Sequence, residues 1–110
     1  MVGRWNIDKV SIDTYSTNNT LEAHQEATGD AGNFIEFKKD NTMVTASSAS
    51  SQVYTSSFQT TSENTFTTTQ GTITDTCRVI NLQDKSFTFI TNRGRKTNTF
   101  YVEFTYSLKK

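Results

Sequence analysis

The sequence is poor in residues that interrupt or crosslink a chain. It has no proline, five glycines, one cysteine and one histidine. A single cysteine excludes an internal disulfide and any metal site built from several thiolates. The absence of proline is compatible with β-strands whose backbone hydrogen bonds run without interruption.

The chain also lacks a net charge and a long apolar run. Eleven basic residues balance eleven acidic ones, and the isoelectric point lies near 6.6. This balance gives no electrostatic basis for binding nucleic acid or an anionic membrane. No apolar stretch approaches the ~20 residues that a transmembrane helix needs. We therefore predict no nucleic-acid partner and no transmembrane segment. The length predicts one domain over residues 1–110, and we also predict a monomer.

Hydroxyl and aromatic residues are abundant. Threonine and serine make up about 29% of the chain, and aromatic residues make up 12%, with eight phenylalanines. Threonine and phenylalanine favour strands and are weak helix formers. Their abundance predicts an all-β fold.

Alternating apolar and polar residues predict about eight short strands. One face of the last strand carries five apolar residues: Phe100, Val102, Phe104, Tyr106 and Leu108. Near the start, Trp5 and Ile7 have the opposite parity to Val10 and Ile12. We therefore expect a bulge or bend near Lys9 that keeps all four side chains on one face.

Turn signals recur about every ten residues, which predicts a sequential antiparallel meander that closes into an up-and-down barrel. One of these signals is Asp40-Asn41, a pair that tolerates positive φ in a tight hairpin. Residues 14–31 break the alternation and are predicted to form a long first loop. Within this loop, residues 21–27 favour a short helix that ends at Gly29.

Several segments resemble lipocalins, and in particular short bacterial lipocalin-like domains. Gly3-Arg4-Trp5 resembles the Gly-x-Trp signature, in which the tryptophan plugs the closed end of the barrel. NFIEFKKDNTM resembles the apolar-x-Phe segment and its Asp-Gly-Thr hairpin, with Asn41 in place of the usual glycine. CRVINLQDKSFTFI and the closing FTYSLKK resemble the later strands of these domains.

The resemblance covers nearly the whole chain and has two departures. Larger lipocalins carry an arginine that packs across the tryptophan, whereas Lys109 and Lys110 stand at the corresponding end here. Their Thr-Asp-Tyr loop motif is reduced to Thr74-Asp75. The resemblance implies a calycin-type barrel with Trp5 as its plug. It also implies an exported protein of the bacterial periplasm, outer-membrane surface or extracellular space, with its leader absent from this chain and with a lipid anchor in some relatives.

Catalytic chemistry has little support in the sequence. The single histidine, His24, falls in the predicted loop, with no nucleophile or orienting group nearby in the sequence. Cys77 lies in an alternating strand, where a free cysteine behaves as a small buried hydrophobe. Among the carboxylates, Glu36 and Glu103 are expected on the outer face. We therefore predict no enzyme activity, no cofactor and no metal site.

The middle of the chain has a pattern that bears on ligand binding. Between residues 46 and 76, the inward-facing candidates include aromatic and small hydroxyl residues: Tyr54, Phe58, Phe66, Ser47, Ser56, Ser57, Thr68 and Thr74. One interpretation is that the short side chains leave a cavity in the upper barrel, apolar with a few hydrogen-bonding groups. The other is that the hydroxyl groups simply face solvent.

On the first interpretation, the protein binds a small, mostly apolar or amphipathic molecule. Its expected lining residues are Tyr54, Phe58, Phe66, Phe89 and Tyr106. The alternative is a filled β-barrel or β-sandwich that contacts proteins or glycans at the cell envelope. Its contact surface would include Tyr15, Tyr101 and a basic hairpin tip formed by Arg93, Arg95 and Lys96.

Overall fold

The computed structural model describes residues 1–16, 20–29, 32–47, 52–97 and 100–110. Within these residues it contains nine strands and no helix. The strands are β1 (Gly3–Ser16), β2 (Leu21–Thr28), β3 (Phe34–Phe37), β4 (Thr42–Ser47), β5 (Gln52–Thr60), β6 (Thr65–Gln70), β7 (Ile73–Leu82), β8 (Ser86–Thr97) and β9 (Phe100–Lys109).

Eight of these strands form a closed antiparallel barrel. From β3 to β9 each strand pairs with the next one in the sequence, and β1 closes the barrel by pairing with both β3 and β9. The remaining strand, β2, pairs with the second half of β1, beyond the residues that pair with β3. The predicted all-β fold and eight-stranded barrel are confirmed.

The helix predicted for residues 21–27 is wrong. These residues belong to β2, which forms an antiparallel hairpin with β1 and is exposed along its whole length. Leu21, Glu22 and Ala23 have high helix propensities, but the free energy that propensity contributes per residue is small. An isolated helix of two turns is therefore marginal in water. The edge of β1 offers backbone hydrogen bonds to the same residues. The long first loop is therefore replaced by a hairpin.

The bulge predicted near Lys9 is confirmed. Ile7 pairs with Leu108, whereas Lys9 pairs with Ser107, so one residue of β1 is extra at this point. The extra residue reverses the alternation, because opposite faces of a strand alternate with period two. Val10, beyond the bulge, therefore faces the same side of the sheet as Ile7.

A glycine marks the place where the chain leaves β2 and passes this bulge. The backbone N–H of Gly29 donates to the carbonyl oxygen of Asp8, 2.9 Å away. A Cβ atom at Gly29 would lie 1.8 Å from the carbonyl oxygen of Ile7, closer than any real contact. Only glycine permits this close approach of two backbones.

The turn between β3 and β4 has the predicted chemistry. Asn41 adopts a positive φ of 65°, which asparagine tolerates better than most residues. Asp40 accepts a hydrogen bond at its Oδ1 from the backbone N–H of Thr42, 3.1 Å away. Both residues therefore contribute to closing the hairpin.

The aromatic core lies at one end of the barrel, together with the turns that join β3 to β4, β5 to β6 and β7 to β8. Phe37 is fully buried at its centre, and its ring centroid lies 5.1 Å from that of Phe58 and 5.7 Å from those of Phe66 and Phe87. Trp5 packs edge-on against Phe87 at 5.4 Å. This cluster fills the barrel interior at that end, which we call the closed end.

The tip predicted around Arg93, Arg95 and Lys96 is not a turn. These residues belong to β8, which continues to Thr97 and pairs with β9, with a shift in register beyond Arg93. Asn92 and Arg93 pair with Glu103 and Val102 of β9, and this pairing outweighs the turn propensity of the segment. The side chains of residues 92–97 and of Tyr101 lie outside the described part of the structure.

Candidate functional site

A cavity of about 580 Å³ occupies the barrel above the aromatic core. Its apolar wall includes Ile35 of β3, Met43 of β4 and Phe89 of β8. Ile35 and Phe89 are almost fully buried, and both belong to the core cluster. The floor of the cavity is therefore continuous with the core of the closed end.

Short hydroxyl side chains line the cavity beside these apolar residues: Thr45 is the cross-strand partner of Ile35, and Ser56 is that of Met43. Thr45 of β4, Ser56 of β5 and Thr68 of β6 all line the cavity. Their neighbours of opposite parity face outward: Ser57 is exposed and bonds to the carbonyl oxygen of Thr69. Short side chains on adjacent strands leave space where longer ones would fill a barrel of this size.

The structure brings together three of the five predicted lining residues. Tyr54, Phe89 and Tyr106 line the cavity. The rings of Phe89 and Tyr106 are stacked, with centroids 5.0 Å apart and an angle of 18° between their planes. Phe58 and Phe66 face the same interior but lie in the aromatic cluster at the closed end. The ring of Phe66 packs against that of the lining residue Phe89, with the two ring centroids 5.2 Å apart.

The remaining hydroxyl residues predicted to face inward, Thr74 and Ser47, do not add to the described lining of the cavity. Thr74 faces outward, and its hydroxyl lies 3.0 Å from that of Thr69 on the adjacent strand. The side chain of Ser47 lies outside the described part of the structure. Together with Thr91 of β8, one face of β4, β5 and β6 thus supplies the short hydroxyl side chains of the lining.

The mouth of the cavity lies at the end opposite Trp5. Tyr54 and Ile73 line it and are 49% and 65% exposed. Gln70 and Asp75 also belong to the lining near the hairpin that joins β6 to β7. A molecule entering from solvent would pass this mixed apolar and polar rim.

The floor contains two small residues on neighbouring strands. Cys77 of β7 and Thr91 of β8 are direct cross-strand partners, and both line the cavity. Cys77 is 2% exposed, which confirms its predicted burial. Thr91 is 5% exposed, and its Oγ1 has no hydrogen-bond partner among the described residues. The sequence prediction missed Thr91, although it shares the inward parity of Phe87 and Phe89.

The histidine lies away from this cavity, on the outer face of the β1–β2 hairpin. Its Nδ1 donates to a carboxylate oxygen of Asp13, its cross-strand partner, and its Nε2 lies 3.2 Å from Glu26. Lys9 extends this group with a 3.7 Å ion pair to Glu26. His24 thus lies in a strand and not in the predicted loop, and the pairing of β2 with β1 brings to it an orienting partner, Asp13, that is not near it in the sequence.

This arrangement gives a pH-dependent prediction. The hydrogen bond to Asp13, followed by that to Glu26, raises the pKa of His24 above 6.5. A raised pKa in the folded state stabilises the fold while the imidazole is protonated, fully below pH 6.5, and this contribution is lost as the pH rises through the raised pKa. We expect an NMR titration of the ring protons to give a midpoint above 6.5, and Asp13→Asn to lower it.

The matched control for this titration is Glu63→Gln, a charge-neutralising change in the turn at the closed end. It should leave the His24 midpoint where it is in the unmodified protein. A midpoint at or below 6.5 in the unmodified protein, or an unchanged midpoint in Asp13→Asn, would contradict the contact described here.

The described residues also bear on metal binding and on membrane insertion. These residues hold no cluster of three or more histidine, cysteine or acidic side chains arranged to bind a metal ion. They also form no helix long and apolar enough to cross a bilayer. Comparison of the chain with protein-family models, with curated proteins and with solved structures gives no match.

Proposed function

We propose that the protein is a non-enzymatic binding protein that holds a small, mostly apolar molecule inside its barrel. The cavity carries this proposal. Its volume of about 580 Å³ lies within the range of about 300–1,000 Å³ typical of ligand pockets. Its wall combines apolar and aromatic side chains with a few hydrogen-bonding groups, which is the usual composition of such pockets.

A lipocalin-like identity is part of the same proposal, and the closed end supports it. Trp5 lies near the start of the first strand, is 2% exposed and donates from its Nε1 to the carbonyl oxygen of Met1 at 3.0 Å. The Nζ of Lys110 lies 4.7 Å from the centroid of the Trp5 ring. In larger lipocalins an arginine packs across the tryptophan, and here the cationic role falls to a lysine.

Export to the cell envelope or beyond, and a monomeric state, are proposed together with this identity. Export is what the resemblance of the sequence to short bacterial lipocalin-like domains implies.

The second candidate function is a contact module for proteins or glycans. Exposed apolar side chains near the mouth favour it: Val53 of β5 is 63% exposed and Ile73 of β7 is 65% exposed. Tyr15, which was expected to contribute to such a surface, is half-buried on β1. In this candidate the mouth itself would be the contact surface, and the cavity would remain empty.

The two candidates differ in their response to an uncharged apolar dye. N-phenyl-1-naphthylamine emits strongly only in apolar surroundings, so emission that saturates at one dye per chain is expected if the cavity binds it. Binding to the folded state alone raises stability, by about 2.7 kcal/mol at a free concentration one hundred times the Kd. We therefore expect the melting temperature to rise with dye concentration, and likewise with lauric acid.

The contact-module candidate predicts a different result. If both the dye emission and the melting temperature stay unchanged up to the solubility limits of the two compounds, binding inside the barrel is refuted.

A further inference from the structure

Thr91 is the one buried polar side chain among the described residues whose hydroxyl oxygen lacks a hydrogen-bond partner. Buried polar groups in folded proteins are nearly always paired, so such a group needs a physical explanation. Thr91 lies at the cavity wall, directly opposite Cys77. A molecule in the cavity can therefore reach its hydroxyl.

The depth of Thr91 distinguishes it from the other hydroxyl groups of the lining. Its partner Cys77 lies four residues along β7 from Ile73 at the mouth, which corresponds to about 13 Å along the strand. Cys77 also pairs with Phe66 of the aromatic core. Thr91 is thus a hydrogen-bonding group placed at the bottom of the cavity.

The surroundings of Thr91 restrict the chemistry of its partner. The adjacent lining residues on β7 and β8 are Cys77 and Phe89, and both are nearly fully buried. An anion placed here would lose its hydration and share the cavity with the carboxyl group of Asp75, two residues from Cys77 on the same face of β7, which is strongly unfavourable. A neutral hydroxyl or carbonyl group avoids this penalty and can pair with the threonine hydroxyl, which both donates and accepts.

We propose that the ligand is an uncharged, mostly apolar molecule with a hydroxyl or carbonyl group, and that this group forms a hydrogen bond to Thr91. The apolar body then lies against the apolar lining residues Ile35, Met43, Phe89 and Tyr106. The inference rests on the proposed function and adds the class of the ligand and the residue that its polar group contacts.

The test compares 1-naphthol with naphthalene, which differ by one hydroxyl group. Equilibrium dialysis gives the Kd of each probe for the unmodified protein and for Thr91→Val, which removes the hydroxyl but keeps the shape. We expect Thr91→Val to weaken the binding of 1-naphthol about five- to tenfold, the effect of one lost hydrogen bond, and to leave that of naphthalene unchanged.

Two further variants serve as controls. Thr91→Ser retains a hydroxyl at the floor and should retain most of the affinity for 1-naphthol. Thr76→Val makes the same chemical change on the exposed outer face of β7 and should alter neither affinity. The folded state of Thr91→Val should be no less stable than the unmodified protein, because the substitution removes an unpaired buried oxygen.

The outcomes separate this inference from the function on which it rests. If Thr91→Val changes the affinity for 1-naphthol and for naphthalene equally, or changes neither, the inference is overturned and the binding function stands. If neither probe binds the unmodified protein up to its solubility limit, and the dye and lauric acid also fail to bind, the proposed function is overturned as well.

Discussion

Replacing Phe37 by alanine is expected to lower the free energy of unfolding by about 3–5 kcal/mol. Phe37 is fully buried at the centre of the closed end, in contact with Phe58, Phe66 and Phe87. Its removal leaves a void surrounded by rings that cannot all move inward, so both burial and packing are lost. Urea unfolding followed by circular dichroism measures the change.

Phe34 on the same strand is the matched control. Its ring is half-buried on the outer face and lies under the Arg4 guanidinium, 4.0 Å from the ring centroid to Cζ. Phe34→Ala should cost about 1 kcal/mol, because it removes an exposed cation–π contact and partial burial. Equal costs for both substitutions would contradict the assignment of faces in β3.

A milder substitution keeps this test informative if Phe37→Ala does not fold. Phe37→Leu retains an apolar side chain and should cost about 1–2 kcal/mol, still more than Phe34→Leu.

The strands that bury one face in the barrel were predictable from the sequence. The alternation of apolar and polar residues assigns the inner face of each strand. The opposed parities of Ile7 and Val10 indicate the bulge in β1 that the pairing of β1 with β9 confirms. β2 was not predictable by this route, because each of its residues is exposed and carries no burial pattern. Its strand structure depends on hydrogen bonds to β1, which are invisible in a local stretch of sequence.

The sequence predicted which strand face each site residue occupies, but not its position along the barrel axis. Parity correctly placed Tyr54, Phe58 and Phe66 on the inner face, yet it could not tell which residues fill the closed end and which line the cavity. Height along the barrel axis depends on the register between strands, for example the pairing of Phe66 with Cys77. Thr91 was missed because threonine is common on both faces of these strands, and its sequence position carries no signal of depth or of an unpaired hydroxyl.

The neighbours Ser56 and Ser57 allow the binding function to be tested with one chemical change on two faces. Ser56 lines the cavity, whereas Ser57 is exposed on the outside of β5. Ser56→Phe places a benzyl group in the cavity and should weaken the binding of N-phenyl-1-naphthylamine by about tenfold or more, equivalent to about 1.4 kcal/mol. Dye titration monitored by fluorescence measures this loss.

Ser57→Phe introduces the same side chain outside the barrel and should leave the dye affinity unchanged. Ser56→Phe is expected to keep the melting temperature of the unliganded protein, since the new ring occupies existing space and buries apolar surface there. Loss of binding without loss of stability distinguishes a blocked cavity from a disturbed fold. If both variants bind the dye as the unmodified protein does, the dye binds elsewhere, and the exposed apolar rim around Val53 and Ile73 becomes the surface to examine.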